Sequence, residues 1–557
     1  MLLFSTHCET RQGQRLNQNS PPVCDLLLRN ATLFDGTGAP PFRADIGIVG
    51  ELVVAVGDLS QVKSNSEYNL DGLHVAPGFI DIHTHSDISI TFDPGQASAL
   101  GMGVTTQIVG NCGLSMALIQ STDAFDMERR WLAPHGARIR WNSFQEHLEL
   151  IETNGTATNY LTLVGHGSVR KRVMGTVARL PESHELVAMQ NEVDQGMKAG
   201  AWGLSSGLEY TPSAFANAEE LIALCEVVAE YGGFYATHLR NEGDTLIEAV
   251  EEALLVSDRA GVPLQLSHHK AEGQKNWGKV SQTLKIVDRA RERGADVQLD
   301  QYPYTAFMTA LSVQVLPAWG NEGSVADIAE RIVNPDSRAK MLAEIRALHP
   351  EWDTLDADSQ WHRIQIGICR RRPELEGHTI ASLIQNSAMK PIEAVLDLIA
   401  TTKDYIAAVN FAIGEEDIAM VLRHPYTSIG SDAVGTHPET ATGHEKIHPR
   451  TYGTFPRVLS RYVRELGIIT EEEAIFKMTG LPAKRVGLDR RGRIAPGYYA
   501  DITIYDPKTI TDSATFETPH RYANGVEYVF VNGKLAFQNG APITTRNGRV
   551  LRPARHS

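Results

Sequence analysis

The chain has 557 residues, 42% hydrophobic and 21% charged, the balance of a globular protein with room for one large domain and a smaller one. Its formal net charge of -15 argues against nucleic acid and anionic membranes as partners, and no apolar run is long enough to span a bilayer. The five cysteines are too scattered for a disulfide framework, so we expect a reducing, cytoplasmic location.

Residues 1–23 carry a short apolar start that polar residues soon interrupt, so they lack the core of a signal peptide and are predicted to form a poorly ordered tail. Short segments of alternating apolar and polar residues follow, which predict β-strands. The same pattern recurs near the C-terminus, where Asn532-Gly533 is a strong hairpin turn. Residues 24–76 and 489–550 are therefore predicted to build one small β-sandwich from both ends of the chain.

Between these pieces, residues 77–488 alternate short apolar runs with amphipathic helical stretches. Repeated strand–helix units indicate a parallel sheet, and the length fits a TIM-like (β/α)₈ barrel, so the fold class is α/β. Its first strand is expected within the apolar run Val75–Ile80. The alternation breaks at about residues 306 to 372, where we expect an inserted lid subdomain.

A pair of histidines, His83 and His85, follows that first strand. Side chains at positions i and i+2 of a strand point the same way, so the two imidazoles form half of a transition-metal site. The spacing alone is weak evidence, because buried structural histidines often produce it.

Other metal-binding residue types follow later predicted strands, namely Cys112, His238, His268 and Asp432. Each has a simpler explanation when taken alone: Cys112 fits a turn, and Asp432 fits a helix N-cap. Catalytic groups of such barrels lie at the C-terminal ends of the strands, so the coincidence favours a metal centre.

This set of donors favours zinc, which accepts both imidazole and thiolate and makes a bound water acidic. Asp432 could take a proton from that water and pass it to a leaving amine, as the hydrolysis of an amide requires.

The chain resembles the D-aminoacylases, or N-acyl-D-amino-acid deacylases, of the amidohydrolase superfamily over nearly its whole length. The motifs that carry the resemblance are Pro77–His85, Gly110–Gly113, Gly203–Tyr210, Ser267–Lys270, Gly430–Asp432 and His448–Gly453. The family often has a glycine after the aspartate, where this chain has Ala433, so its side-chain pocket could differ.

The resemblance implies a reaction that splits an N-acyl-D-amino acid into a carboxylate and a D-amino acid. It implies a tight zinc site at Cys112, His238 and His268, and a weaker second site at His83 and His85 that shares Cys112. Asp432 would be the general acid and base. The substrate contacts implied or suggested are Lys270, Tyr210, Tyr302, Arg240 and Arg450.

Two alternatives stay open at this point. A cyclic amidase of the hydantoinase or dihydroorotase type would bridge two metals with a lysine, and no lysine stands at a comparable strand end before His238. A non-enzymatic scaffold on the same barrel would normally have lost metal ligands. The acyl group, the amino-acid side chain and the oligomeric state are not encoded in these motifs.

Overall fold

The computed structural model describes residues 23–438 and 445–554. The predicted tail lies outside these residues except for Val23, which begins the first strand. The strands are β1 (Val23–Leu33), β2 (Phe42–Val49), β3 (Leu52–Gly57), β4 (Lys63–Asn69), β5 (His74–Pro77), β6 (Phe79–Asp81), β7 (Val104–Val109), β8 (Asn159–Thr162), β9 (Val164–Gly165), β10 (Gly203–Gly207), β11 (Phe234–His238), β12 (Leu264–Leu266), β13 (Val297–Gln301), β14 (Phe307–Ala310), β15 (Ile364–Ile368), β16 (Ala407–Asn410), β17 (Thr427–Ile429), β18 (Ile502–Tyr505), β19 (Val526–Val531), β20 (Lys534–Gln538) and β21 (Ala541–Pro542).

The α-helices are α1 (Ala97–Gly101), α2 (Asp126–Leu132), α3 (Phe144–Asn154), α4 (His166–Met174), α5 (Ser183–Ala199), α6 (Ala218–Glu230), α7 (Leu246–Ala260), α8 (Val280–Glu292), α9 (Leu311–Val315), α10 (Val325–Val333), α11 (Pro335–Leu348), α12 (Ile380–Ile384), α13 (Pro391–Thr402), α14 (Glu415–Arg423), α15 (Arg450–Arg457), α16 (Glu471–Met478) and α17 (Gly480–Val486). Among the described residues, no helix combines the length and the apolar content that crossing a bilayer requires.

Two arcs of parallel strands form the barrel. One arc runs β6-β7-β8, and the other runs β17-β13-β12-β11-β10-β9. Because β8 and β9 are consecutive pieces of one strand around Leu163, the arcs meet there. They meet again where Thr84 bridges Ala433 and the Asp432 amide donates to the His83 carbonyl at 2.7 Å. The result is the expected (β/α)₈ barrel, with every strand running toward the same mouth.

The apolar run Val75–Ile80 forms two strands rather than the one expected from the sequence. Its first half, β5, pairs with β18 in the small domain, and its second half, β6, pairs with β7 in the barrel. The chain changes sheets at Gly78, where an added Cβ would overlap the Thr105 side chain. Only glycine permits this close passage between the two layers.

An insertion between β13 and β17 has a sheet of its own, in the order β14-β16-β15, and its own apolar core. This subdomain was predicted to end near residue 372, but its sheet continues to Asn410. The later part was missed because α13 and β16 have the same helix-then-strand pattern as a barrel unit.

Both ends of the chain form the small domain, which is one nine-stranded sheet in the order β21-β20-β19-β18-β5-β1-β2-β3, with β4 beside β1. Buried residues from both halves, such as Leu28, Ile46 and Phe530, share one core. The last part of the predicted range departs from this sheet: Val550 pairs with Tyr160 of the barrel strand β8.

Candidate metal centre

The metal-binding residue types predicted from the sequence converge at the C-terminal mouth of the barrel. His83 and His85 follow β6, Cys112 follows β7, and His238 is the last residue of β11. His268 follows β12, and Asp432 follows β17. The barrel therefore gathers residues that lie up to hundreds of positions apart in the sequence.

Three of these residues have left-handed backbone conformations: Cys112 (φ 53), His268 (φ 33) and Asp432 (φ 51). Positive φ is uncommon for residues other than glycine and is held in place only where the surroundings enforce it. Hydrogen bonds provide that enforcement, since Asp300 Oδ1 accepts from the His268 amide at 2.8 Å and the His83 carbonyl accepts from the Asp432 amide.

The Cys112 sulfur lies at the middle of the group. Its Sγ is 3.3 Å from His83 Nε2, 3.4 Å from His268 Nε2 and 3.9 Å from His238 Nδ1. His238 Nδ1 and His268 Nε2 are 3.0 Å apart. Asp432 Oδ1 faces the other two histidines, 3.5 Å from His83 Nε2 and 3.2 Å from His85 Nε2. One ion could contact several of these donors together, because the ligand atoms of His83, Cys112, His268 and Asp432 all lie within 4.8 Å of one another.

Three histidines have a carboxylate beside the ring nitrogen that faces away from the sulfur. His83 Nδ1 is 3.2 Å from Asp300, His238 Nε2 is 2.9 Å from Glu209, and His268 Nδ1 is 3.0 Å from Glu242. A carboxylate in this position orients the imidazole and makes it a better metal ligand.

These carboxylates are not among the site residues predicted from the sequence. Glu209 lies inside the Gly203–Tyr210 motif, which could have signalled it, whereas Glu242 and Asp300 stand out only in the fold.

The electrostatics of the centre favour a thiolate. Burial opposes ionisation of Cys112, but the neighbouring His83 and His268 outweigh it and hold the pKa of the thiol well below its usual value. Burial likewise opposes the charging of His85 and His238, yet nearby anions raise their pKa values to about 9 and about 10. A metal ion that replaced these protons would be stabilised by the same nearby anions.

Asp432 is ionised for a similar reason. Burial would raise the pKa of this carboxyl, but the Arg450 guanidinium, with Nη1 2.6 Å from Asp432 Oδ2, holds it well below the usual value. Asp432 is thus a proton acceptor at neutral pH.

A cavity of about 360 Å³ opens onto this centre. His85, Cys112 and Asp432 lie on its wall, together with two of the predicted substrate contacts, Tyr210 and Arg450. The Tyr210 ring lies 4.7 Å from that of His238, and its hydroxyl accepts from Thr309 at 3.3 Å.

Lys270 and Tyr302 lie behind this wall rather than on it. Lys270 is buried, with Nζ 2.5 Å from Glu242 and 2.9 Å from His268 Nδ1. Tyr302 is also buried, and its ring lies 5.7 Å from the Lys270 ammonium and 4.8 Å from the Arg450 guanidinium. Lys270 therefore neutralises the carboxylate that orients His268.

The structure does not bring Arg240 to the cavity. Its guanidinium forms a two-pronged contact with Glu252, at 2.8 and 2.9 Å, and donates to the carbonyls of Ala214 and Ala216. Four of its five N–H donors are thereby engaged away from the cavity, so the structure gives no support to the carboxylate contact expected for this residue.

A (β/α)₈ barrel with a cysteine sulfur, imidazoles and a carboxylate at its C-terminal mouth defines the class of metal-dependent barrel hydrolases. The chain belongs to the amidohydrolase family, whose profile matches residues 66–537.

Several named relatives match nearly end to end. A D-aminoacylase of Alcaligenes xylosoxydans xylosoxydans is 35% identical, covering 96% of this chain and 99% of the relative. An N-acyl-D-glutamate deacylase of the same organism is 35% identical, covering 95% and 96%. An N-acyl-D-aspartate deacylase from it is 31% identical and covers 96% of each chain.

Solved structures agree with the fold. A D-aminoacylase described as having a binuclear metal center matches with a TM-score of 0.79 and 33% identity, covering 95% of this chain and 100% of that one. N-acyl-D-glutamate deacylase from Bordetella bronchiseptica, complexed with zinc and a phosphonate inhibitor, matches with a TM-score of 0.79 and 32% identity, covering 96% and 100%.

Proposed function

We propose that this protein is a zinc-dependent hydrolase that cleaves the amide bond of N-acyl-D-amino acids and releases a carboxylate and a D-amino acid. The observation that carries the proposal is the convergence of Cys112, His238 and His268, with pairwise ligand-atom distances of 3.0 to 3.9 Å, beside Asp432 on a cavity wall. The near end-to-end likeness to D-aminoacylases supports the choice of substrate.

The donor set fits zinc. A cysteine of depressed pKa and two imidazoles backed by carboxylates are ligands that a borderline-soft cation prefers. Cys112, His238 and His268 would hold the tight ion, and His83 and His85 would hold a second one beside Cys112. When bound, zinc polarises a carbonyl group and lowers the pKa of a water molecule toward neutrality.

Asp432 would serve as general base and then general acid. Its low pKa in the free protein means that it starts ionised, ready to accept a proton from water and deliver it to the leaving nitrogen. The proton that Asp432 receives is the one that the amine needs to depart, so a single residue suffices for both transfers.

Arg450 is the best-placed ligand for the α-carboxylate of the substrate. It lines the cavity next to Asp432, and a guanidinium binds a carboxylate through paired hydrogen bonds. A substrate carboxylate there would share the positive charge of Arg450 and weaken its hold on Asp432, which raises the proton affinity of the base. Tyr210, which follows β10 and lines the same cavity, would also contact the substrate.

Lys270 and Tyr302 support this arrangement from behind. Lys270 balances Glu242, which in turn faces His268, so its role here is to position a metal ligand. In the cyclic amidase alternative, a lysine would bridge two metals. Within the part of the chain that the structure describes, Cys112 occupies the central position of the cluster. Lys198, the lysine that precedes β10, lies exposed on α5 and is paired with Asp194.

The decisive test is a product-release assay on zinc-loaded protein with matched N-acetyl-D- and N-acetyl-L-amino acids. We expect release of the D-amino acid from the D series only, and loss of that release after chelation, with recovery on adding zinc. Equal cleavage of both series, or release that survives complete metal removal, would contradict the proposal. Cleavage of hydantoin but of neither linear series would favour the cyclic amidase.

A further inference from the structure

A second polar cluster begins on the cavity wall at Ser213 and contains none of the predicted metal ligands. Ser213 Oγ lies 3.1 Å from His166 Nδ1, and His166 Nε2 lies 2.7 Å from Glu220 Oε1. Arg170 Nη1 donates to the other oxygen of Glu220 at 2.5 Å. We call these four residues the Ser213 cluster. The function proposed above uses none of them.

Three segments bring the Ser213 cluster together. His166 is the first residue of α4, and Ser213 begins a short turn of 3₁₀ helix between β10 and α6. Glu220 lies in the first turn of α6, where its amide donates to the cap residue Asn217 at 3.0 Å. Because both α-helices begin here, backbone position brings the imidazole and the carboxylate behind the serine hydroxyl.

The charges of the cluster fix the order of its protons. Burial would raise the pKa of Glu220, but His166 and Arg170 outweigh it and hold that pKa below the usual value, so the carboxyl is ionised. A carboxylate only accepts, and it therefore takes the hydrogen on His166 Nε2. In the neutral imidazole, Nδ1 then has a lone pair, to which the Ser213 hydroxyl donates.

This order of hydroxyl, imidazole and carboxylate is the one that activates the nucleophile of serine hydrolases. In those enzymes the imidazole faces the serine through Nε2 and the carboxylate through Nδ1, whereas here the two nitrogens are exchanged. Either nitrogen of imidazole can accept a proton. The exchange thus leaves the route of the serine proton intact.

The cavity gives a small carbonyl group access to the hydroxyl. Ser213 is only 2% exposed, yet it lines the cavity together with Gly167 and Ser168, the second and third residues of α4. A Cβ added to Gly167 would lie 2.8 Å from Ser213 Oγ and 3.0 Å from the Gly113 carbonyl oxygen. The glycine therefore leaves space beside the hydroxyl, and the start of α4 favours negative charge there.

We propose that Ser213 is a second nucleophile of this protein, activated by His166 and Glu220, and that it accepts short acyl groups from esters without a metal ion. Ser213 Oγ bonds to the ester carbonyl carbon while its proton passes to His166 Nδ1. The bond to the leaving oxygen then breaks, and that oxygen takes the proton from His166 and departs as an alcohol. Water next gives a proton to His166 and attacks the acyl group, which leaves as a carboxylic acid when Ser213 recovers its proton.

A covalent trap tests the nucleophile directly. The full chain, in zinc-loaded and chelator-treated forms, is incubated with diisopropyl fluorophosphate, and peptide mass spectrometry locates the phosphorylated serine. We expect a single adduct, on Ser213, in both forms. His166→Gln keeps polar groups in place but has no basic nitrogen, so labelling should slow about 100-fold, as expected for loss of a general base. No adduct, or adducts on other serines alone, overturns the proposal.

Ester turnover gives a second measurement. With 4-nitrophenyl acetate, we expect hydrolysis that persists after chelation and falls about 100-fold in chelated Ser213→Ala. Ser312→Ala, at a partly exposed serine of the same wall, is the matched control and should stay within about twofold of the parent. The urea midpoint shows whether each variant is folded, and the adduct on the unsubstituted chain decides alone if Ser213→Ala is not.

Hydrolysis that is unaltered in folded Ser213→Ala, or that disappears with the metal, also overturns the proposal. Either result leaves the zinc-dependent function untouched, because the contacts among Cys112, His238 and His268 do not involve the Ser213 cluster. Conversely, chelation should abolish release of D-amino acids while Ser213 is still labelled, so the two functions can fail separately.

Discussion

Replacing Asp432 with asparagine separates proton transfer from metal binding. Asparagine has nearly the same shape and keeps an oxygen that can accept from Arg450, whose guanidinium now lies 2.6 Å from the carboxylate. It cannot accept and return a proton, so the variant loses general acid and base catalysis and little else. The tight zinc site should survive, because the contacts among Cys112, His238 and His268 do not involve position 432.

The expected loss follows from the role. General acid–base catalysis contributes about 10² to 10⁴ in rate, so Asp432→Asn should lower kcat about 10³-fold, or roughly 4 kcal/mol in activation free energy. KM should change less, since Arg450 stays in place to bind the substrate carboxylate. Steady-state release of D-methionine gives both constants, and elemental analysis gives the zinc content of the same sample.

A matched control is Asp417→Asn, which alters a buried carboxylate outside the cavity that accepts from the Gly278 amide at 2.9 Å. An asparagine oxygen can replace that acceptor, so kcat should stay within about twofold of the parent. Near-normal kcat in Asp432→Asn would refute its role as acid and base. Loss of activity in proportion to lost zinc would instead assign Asp432 to metal binding.

Three further substitutions probe other parts of the molecule. Cys112→Ala should deplete bound zinc, and unchanged metal content by elemental analysis would contradict its role as a ligand. Lys270→Met should lower the free energy of unfolding by about 1.5–3 kcal/mol, because the buried Glu242 loses its ammonium partner and keeps only the His268 and His238 imidazoles beside it; an unchanged urea midpoint would refute this. His147 is buried, with its pKa lowered to about 3 by desolvation from the usual 6.5. The unfolded chain binds a proton that the folded chain rejects, so this residue lowers stability as pH falls from 6.5 toward 3. His147→Phe should remove roughly 1.4 kcal/mol per pH unit of that loss, measured by unfolding at several pH values, and an unaltered pH slope would contradict it.

Most residues of the candidate metal centre could be predicted from the motifs at the strand ends. His83 and His85, Cys112 and His268 each follow an apolar run short enough to be a buried strand, and the barrel rule places all such ends at one mouth. A short side chain on a residue that directly follows a strand has little freedom of direction. The position of such a residue in the sequence therefore predicts where its ligand atom lies in the fold.

The contacts of long side chains could not be predicted in this way. Arg240 and Lys270 both follow strands, yet Arg240 pairs with the partly exposed Glu252 and Lys270 with the buried Glu242. A flexible side chain of four or more bonds goes to whichever carboxylate the fold places within reach, and the sequence near the residue does not contain that information.

The boundary of the insertion was predicted wrongly because its sequence pattern is the same as that of a barrel unit. The insertion continues through β16 because its helices and strands have the same periodicity as barrel units, and only the hydrogen bonds of β16 to β14 and β15 assign it to the separate sheet. The small domain was easier to recognise, since alternating strands and the Asn532-Gly533 turn are local features.

The residues alone were enough to predict which kinds of atoms could bind a metal and at which strand ends they lie, because strand periodicity and ligand chemistry are local properties. Only the folded structure shows that Glu209, Glu242 and Asp300 face the histidines, and that each lysine and arginine among the described residues of the cavity wall has an anionic partner. These contacts join residues far apart in the chain, and their energies depend on distance and burial, which exist only once the barrel has closed.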